Sequence, residues 1–298
     1  MFDISIGTLI PIGSAATMIP KLNPKGFECY ALDCNGTTPA QMDLPKVADS
    51  VRSALDKRNI SCLGFYANPI MQEEDRAHIA ALIRNASQFG CTTLGVFAGG
   101  DPAKSVPDTI EQFKAVWSPL AELAESCGVK IGFEACGSGW SGGCHNIGFC
   151  PDAWELMFEA VPSDALGLEW EPCHALYALA DPIAQLRRWA HRVVHVHGKD
   201  ATIAWDVIRD HGLNGAREYC WSRTPGFGDT NWADIFTILL QAGFTGACDI
   251  EGYHDVVHYD DMEWTAQIQS AIYLKACRGG QTFWFGPKEY RGYQGSRK

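Results

Sequence analysis

The chain has no apolar run approaching the about 18 residues that a membrane-spanning helix needs, so it is not expected to cross or bind a membrane. Its start, Met1-Phe2-Asp3-Ile4, shows no basic segment followed by an apolar one, the signature of a secretory leader. No Gly-x-Gly-x-x-Gly follows the first apolar stretch, which speaks against a dinucleotide-binding open sheet. Positive charge is scarce: 24 Lys and Arg stand against 35 Asp and Glu, a formal charge of −11, which argues against a nucleic-acid surface. No Cys-x-x-Cys pair occurs among the 12 cysteines, so a zinc knot from Cys136, Cys144, His145 and Cys150 is disfavoured. The cysteines mostly lie inside apolar runs and read as reduced thiols, which with the missing leader predicts a cytoplasmic protein.

What the chain does have is a repeated grammar. Residues 193–200 (VVHVHGKD) begin as a β-branched run and end in two His, a Lys and an Asp, groups too costly to bury without partners. Residues 129–134, 166–171 and 247–251 likewise run from apolar residues into a carboxylate. Four strands thus deliver three carboxylates and an imidazole to one common end. Oxygen-rich ligation with a single nitrogen suits one divalent ion, Mn²⁺ first, with Mg²⁺ or Co²⁺ as alternatives, better than a thiolate-bound zinc.

Around these runs strand and helix patterns alternate. Strands are expected at residues 2–8, 26–33, 60–66, 91–97, 129–134, 165–170, 191–197 and 246–250. Helices are expected at 14–22, 44–58, 73–89, 108–127, 152–160, 182–189, 232–242 and 260–277. Residues 137–150 and 201–231 read as long loops leaving the site, the second as the longest irregular insertion. An α/β fold follows: a single (β/α)₈ TIM barrel over residues 1–277 and a short, basic, aromatic C-terminal extension at 278–298. The extension is expected either to pack on a second subunit, giving a homo-oligomer, or to remain without fixed structure. A doubly wound sheet is the alternative fold.

With these residues placed, the chain resembles the xylose-isomerase-like TIM-barrel superfamily of sugar isomerases and epimerases, which shares its fold with endonuclease IV. The motifs are Phe133-Glu134, Asn146-Ile147-Gly148, Pro151-Asp152-Ala153-Trp154, Glu171-Pro172-Cys173-His174, His197-Gly198-Lys199-Asp200, Pro225-Gly226-Phe227-Gly228 with Asp229-Thr230-Asn231-Trp232, and Ile250-Glu251. The resemblance implies an ion held by Glu134, Glu171, His197 and Glu251. Glu134 and Glu251 would double as catalytic carboxylates. Glu171 stands where Asp is more usual, and Glu169, on the same strand face, is the rival ligand. His195 should lie deeper and reads as a hydrogen-bonded core residue. His174, Lys199, Asp200, Arg223 and His254 are expected to bind substrate, while Trp140, Trp170 and Trp221 are open between core and pocket wall.

The implied reaction is isomerisation or epimerisation of a sugar by proton abstraction next to a carbonyl, through a metal-stabilised enediolate. The same ion and base could instead eliminate a leaving group from a keto-sugar or 3-keto-glycoside, a lyase. An abasic-site endonuclease is less favoured, because the extra His residues for a three-zinc cluster are missing.

Overall fold

The structure is a computed structural model that describes residues 4–36 and 42–280. Eight parallel strands close into a barrel: β1 (Ser5–Pro11), β2 (Cys29–Asp33), β3 (Asn59–Phe65), β4 (Thr93–Val96), β5 (Lys130–Glu134), β6 (Leu166–Trp170), β7 (Val193–Gly198) and the last in sequence, Ala247–Ile250. Its helices include α1 (Ala15–Leu22), α2 (Leu44–Ala54), α3 (Glu73–Asn85), α4 (Val106–Cys127), α5 (Pro151–Ala160), α6 (Pro172–Tyr177) and α7 (Pro182–Trp189). After β7 come β8 (Asp200–Ile203), α8 (Trp205–His211), β9 (Cys220–Arg223) and α9 (Trp232–Gln241), so the closing barrel strand is β10, followed by α10 (Glu263–Arg278). β10 lies between β7 and β1 and pairs with both, which closes the ring.

Local chemistry sets the element ends. Asp43, Ser105, Asp181 and Asn231 cap α2, α4, α7 and α9 by accepting backbone N–H groups of the first turn. Proline at the start of α4 to α7 costs no helical hydrogen bond there. The helices seal the barrel from outside with aromatic side chains. Phe133 of β5 meets Trp117 at 4.7 Å between centroids and Phe113 at 5.6 Å, both edge to face. Such contacts contribute about 0.5–1.5 kcal/mol each beyond area burial. The Trp117 indole N–H donates to Ala98 O at 2.8 Å, which holds α4 to the end of β4.

Two expectations are corrected. The first strand lies at 5–11 rather than 2–8, and residues 1–3 fall outside the described residues. Residues 201–231 are not irregular: β8 and β9 form an antiparallel hairpin, with α8 between them. This hairpin packs on α6, itself unforeseen, through Cys173, Leu176, Ala201 and Cys220. The aromatic tail at 281–298 lies outside the described residues.

Candidate functional site

Strand periodicity builds the site in two tiers. Successive side chains alternate across a strand, so Glu169 and Glu171, His195 and His197, and Asp249 and Glu251 each share the inward face. The first of each pair lies deeper, and all six are buried. Glu134 ends β5 and completes the upper tier.

In that upper tier a carboxylate oxygen from each of Glu134, Glu171 and Glu251 and one ring nitrogen of His197 lie within 4.8 Å of one another. His197 Nδ1 is 3.2 Å from Glu251 Oε2, 3.5 Å from Glu134 Oε1 and 3.7 Å from Glu171 Oε2. Among the described residues, His197 Nδ1, Glu171 Oε2 and Glu251 Oε2 are buried without a hydrogen bond of ordinary geometry. Buried polar atoms left this way are costly, and a shared cation would satisfy all of them at once. Three carboxylates with one imidazole nitrogen form a donor set that fits a hard divalent ion. Glu171 rather than Glu169 therefore joins this cluster.

The charges around this cluster push its members apart. Burial raises the Glu134 carboxyl above its ordinary range, with Glu251 and Glu171 adding to the rise against His197. Burial raises Glu251 too, but the charges of Lys199 and His197 outweigh it and hold the carboxyl well below that range. Burial likewise opposes ionisation of Glu171, yet Lys199 and His174 bring it down to about 2. Lys199 Nζ lies 3.1 Å from Glu251 Oε1, and its carboxylate neighbours outweigh burial to keep it protonated. His174 Nε2 sits 2.7 Å from Glu171 Oε1; burial lowers its affinity for a proton, and Glu171 more than reverses that.

Above the cluster opens a cavity of about 760 Å³ whose lining includes Glu134, His174, Lys199, Glu251 and His254, with Tyr66, Phe97 and Tyr253 as aromatic walls. His254 Nε2 reaches Glu251 Oε1 at 3.0 Å. Its volume falls within the roughly 300–1,000 Å³ of small-molecule sites. Asn146 shapes the rim: its amide donates to Glu134 O at 3.1 Å, and its Oδ1 accepts from Ala98 N at 3.0 Å and Gly148 N at 3.2 Å.

Two expected substrate ligands are placed elsewhere. Asp200 is buried under the hairpin, accepting from Ala201 N at 2.8 Å, Thr230 Oγ1 at 2.5 Å and Trp232 Nε1 at 2.9 Å, so it ties β8 to the start of α9. Arg223 turns from the cavity to Asp255. Trp170 is core, its indole donating to Gln185 Oε1 at 2.9 Å, whereas Trp140 is exposed on the 137–150 loop. Tyr66 was not foreseen; its hydroxyl lies 3.1 Å from His197 Nε2, and a lone Tyr ending an apolar strand carries no sequence signal of that role.

Comparison with known proteins agrees with this fold. A family model described as a xylose isomerase-like TIM barrel matches residues 22–277. Inosose dehydratase of Clostridium beijerinckii is 24% identical over 254 residues, covering 76% of this chain and 81% of the relative. Bacillus subtilis YfiH is 29% identical over 145 residues, 45% of this chain, and the match spans only 44% of YfiH. Among solved structures, the Escherichia coli 3-keto-D-glucoside 4-epimerase YcjR superposes with a TM-score of 0.68 at 13% identity, over 92% of this chain and all (100%) of that one. A Mycobacterium smegmatis barrel in complex with magnesium gives 0.69 at 15% identity, over 94% of this chain and 100% of the other. The structural likenesses concern the fold, and together with the family model they lead to one conclusion: the chain belongs to the xylose isomerase-like TIM barrel family.

Proposed function

We propose that this protein is a divalent-metal-dependent enzyme that isomerises or epimerises a sugar by removing a proton from the carbon next to a carbonyl. The observation that carries this reading is that Glu134 and Glu251 both belong to the ligand cluster and both line the cavity above it. Two carboxylates facing one substrate cavity are suited to act as acid and base. Glu134, Glu171, His197 and Glu251 would hold the ion, for which Mn²⁺ is our first candidate and Mg²⁺ or Co²⁺ the alternatives. Such an ion supplies Lewis acidity toward a carbonyl and its neighbouring hydroxyl oxygen.

The chain's own residues divide the remaining work. Glu251, ionised at neutral pH, accepts a proton at its free oxygen. Glu134, whose carboxyl more readily keeps a proton, returns one to the substrate. Lys199 Nζ offers its charge to a substrate oxygen beside Glu251, while His174 and His254 hold hydroxyl groups. Tyr66, Phe97 and Tyr253 shield the reacting carbon from water. The burial of most of the cysteines in the core fits a reducing compartment such as the cytoplasm.

Elimination is the second reading, favoured by the match to inosose dehydratase and by His174, an imidazole that keeps its proton where a leaving hydroxyl could take it. The endonuclease reading has less support, since only two ligand clusters occur among the described residues. The test is a screen of Mn²⁺-loaded protein against ketoses, aldoses, keto-cyclitols and 3-keto-glycosides in D₂O, with products resolved by NMR. Deuterium at one carbon of an isomeric product supports the first reading, a dehydrated or split product the second. No exchange with any of these substrates would sink both.

A further inference from the structure

Below the ligand cluster, the middle of the barrel holds charge where barrels of this kind usually hold layers of Val, Ile and Leu. His195 Nδ1 lies 2.7 Å from Glu169 Oε1, and its Nε2 lies 2.7 Å from Asp249 Oδ2. Glu169 and Asp249 are 0% exposed and His195 1%. Asp249 is anchored from below by Ser61 Oγ at 2.6 Å and Cys29 Sγ at 3.3 Å. Glu169 reaches upward: its Oε1 is 3.3 Å from His197 Nε2.

Burying two carboxylates costs several kcal/mol each unless they are well paired, and an apolar replacement of equal volume is often no less stable. Stability alone is thus a weak reason for this tier. The backbone also makes room for it. A Cβ on Gly95 of β4 would run into both carboxylate oxygens of Glu169, and a Cβ on Gly7 of β1 would run into Asp249 Oδ1. Two strands that have no part in the ligand cluster therefore carry glycine where the deep carboxylates need the space.

We propose that Glu169, His195 and Asp249 form a positioning tier that fixes His197 with Nε2–H toward Glu169 and Nδ1 toward the cation site. His195, clamped at both nitrogens, holds Glu169 in place. His197 Nε2–H then points to the Tyr66 hydroxyl at 3.1 Å and Glu169 Oε1 at 3.3 Å, which leaves the lone pair on Nδ1, the nitrogen that faces Glu134, Glu171 and Glu251. A ligand imidazole is commonly oriented by such an outer carboxylate, and loss of that partner costs about 10–100-fold in metal affinity. None of the three is a catalytic residue, because none lines the substrate cavity.

This inference rests on the proposed metal site, and the test separates the two. Mn²⁺ alone is titrated into the full-length chain and into Glu169→Gln and Gly95→Ala by calorimetry, with thermal melts recorded at zero added metal. Gly95→Ala keeps every tier residue and only displaces Glu169, so it remains informative where Glu169→Gln does not fold. Both variants should weaken Mn²⁺ binding at least tenfold, and Glu169→Asp should recover part of that loss. Histidine-selective nitrogen NMR of the unmodified Mg²⁺-loaded chain should show His197 protonated at Nε2 with Nδ1 on the ion, a result independent of any variant. Mn²⁺ affinity within twofold of the parent in a folded variant, or an ion on Nε2, would overturn the tier. An unmodified chain that binds no Mn²⁺ would instead overturn the metal site itself.

Discussion

Arg223 Nε lies 3.3 Å from Asp255 Oδ1, and the other oxygen of that carboxylate accepts from Thr224 N at 2.7 Å and Thr224 Oγ1 at 2.9 Å. These bonds tie the end of β9 to the loop that follows β10, so the hairpin is fastened to the strand end that carries Glu251. Burial raises the Asp255 carboxyl, but backbone N–H groups of His258, Thr224 and Val257 outweigh it and hold it at about 2. A carboxyl held below its unfolded value contributes stability above that value and loses it as the pH falls through the folded one. Thermal melts should therefore show the difference between the parent and Asp255→Asn shrinking from pH 5 toward about 2, from roughly 1–2 kcal/mol to near nothing. A constant difference across that range would remove the carboxylate's charge as the cause.

Arg223→Ala tests the same fastening from the other side. The guanidinium does not line the cavity, so its loss should act by loosening the hairpin. KM should rise severalfold through the less ordered wall at Ser222 while kcat changes little. A large fall in kcat with KM unchanged would put Arg223 back at the reacting atoms.

Metal removal should be visible without any substrate. Dialysis against a chelator is expected to lower Tm and to abolish solvent exchange, and Mn²⁺ should restore both. At a free ion concentration of 100 times Kd, binding to the folded state adds about 2.7 kcal/mol. A melt indifferent to chelator and to added Mn²⁺ would count against the ligand cluster.

His174→Gln distinguishes the two reaction readings. The variant keeps a polar group near Glu171 but carries no transferable proton, so elimination should slow by about 10² or more, the scale of general-acid catalysis, while exchange at the reacting carbon persists. In an isomerase, exchange and turnover should fall together and modestly, as for a lost hydroxyl contact. The readout is the ratio of deuterium incorporation to product formed.

The barrel and the ligand cluster were legible because each depends on residues close in sequence. A β-branched run ending in Glu134 or His197 announces both a strand and what it delivers, and period-2 spacing kept Glu169 and Glu171 on one face. What period 2 does not give is depth, so only the closed barrel separates Glu171 at the cluster from Glu169 in the tier below. The hairpin escaped notice because β8 and β9 have four residues each and bury small groups such as Ala201 and Cys220 against α6 rather than the barrel. Asp200 ends one motif and Arg223 precedes another, yet their partners, Trp232 and Asp255, are about 30 residues away, and no local pattern encodes that choice.

Glu251→Gln separates proton transfer from binding. The substitution keeps the length of the side chain and one oxygen that can still face the ion, but it removes the carboxylate whose proton affinity is held low beside Lys199. Lys199 Nζ would then face an amide and could still be satisfied by its oxygen, so the fold should survive with a small change in Tm. At saturating Mn²⁺ the variant should bind substrate and lose solvent-deuterium exchange by about 10² or more, the usual scale for a missing general base. Metal content has to be measured in the same sample, because an empty site would imitate a lost base. Full exchange in a metal-loaded Glu251→Gln protein would move the base to Glu134, whose buried carboxyl would then have to ionise during turnover, or to His254, 3.0 Å from Glu251 Oε1.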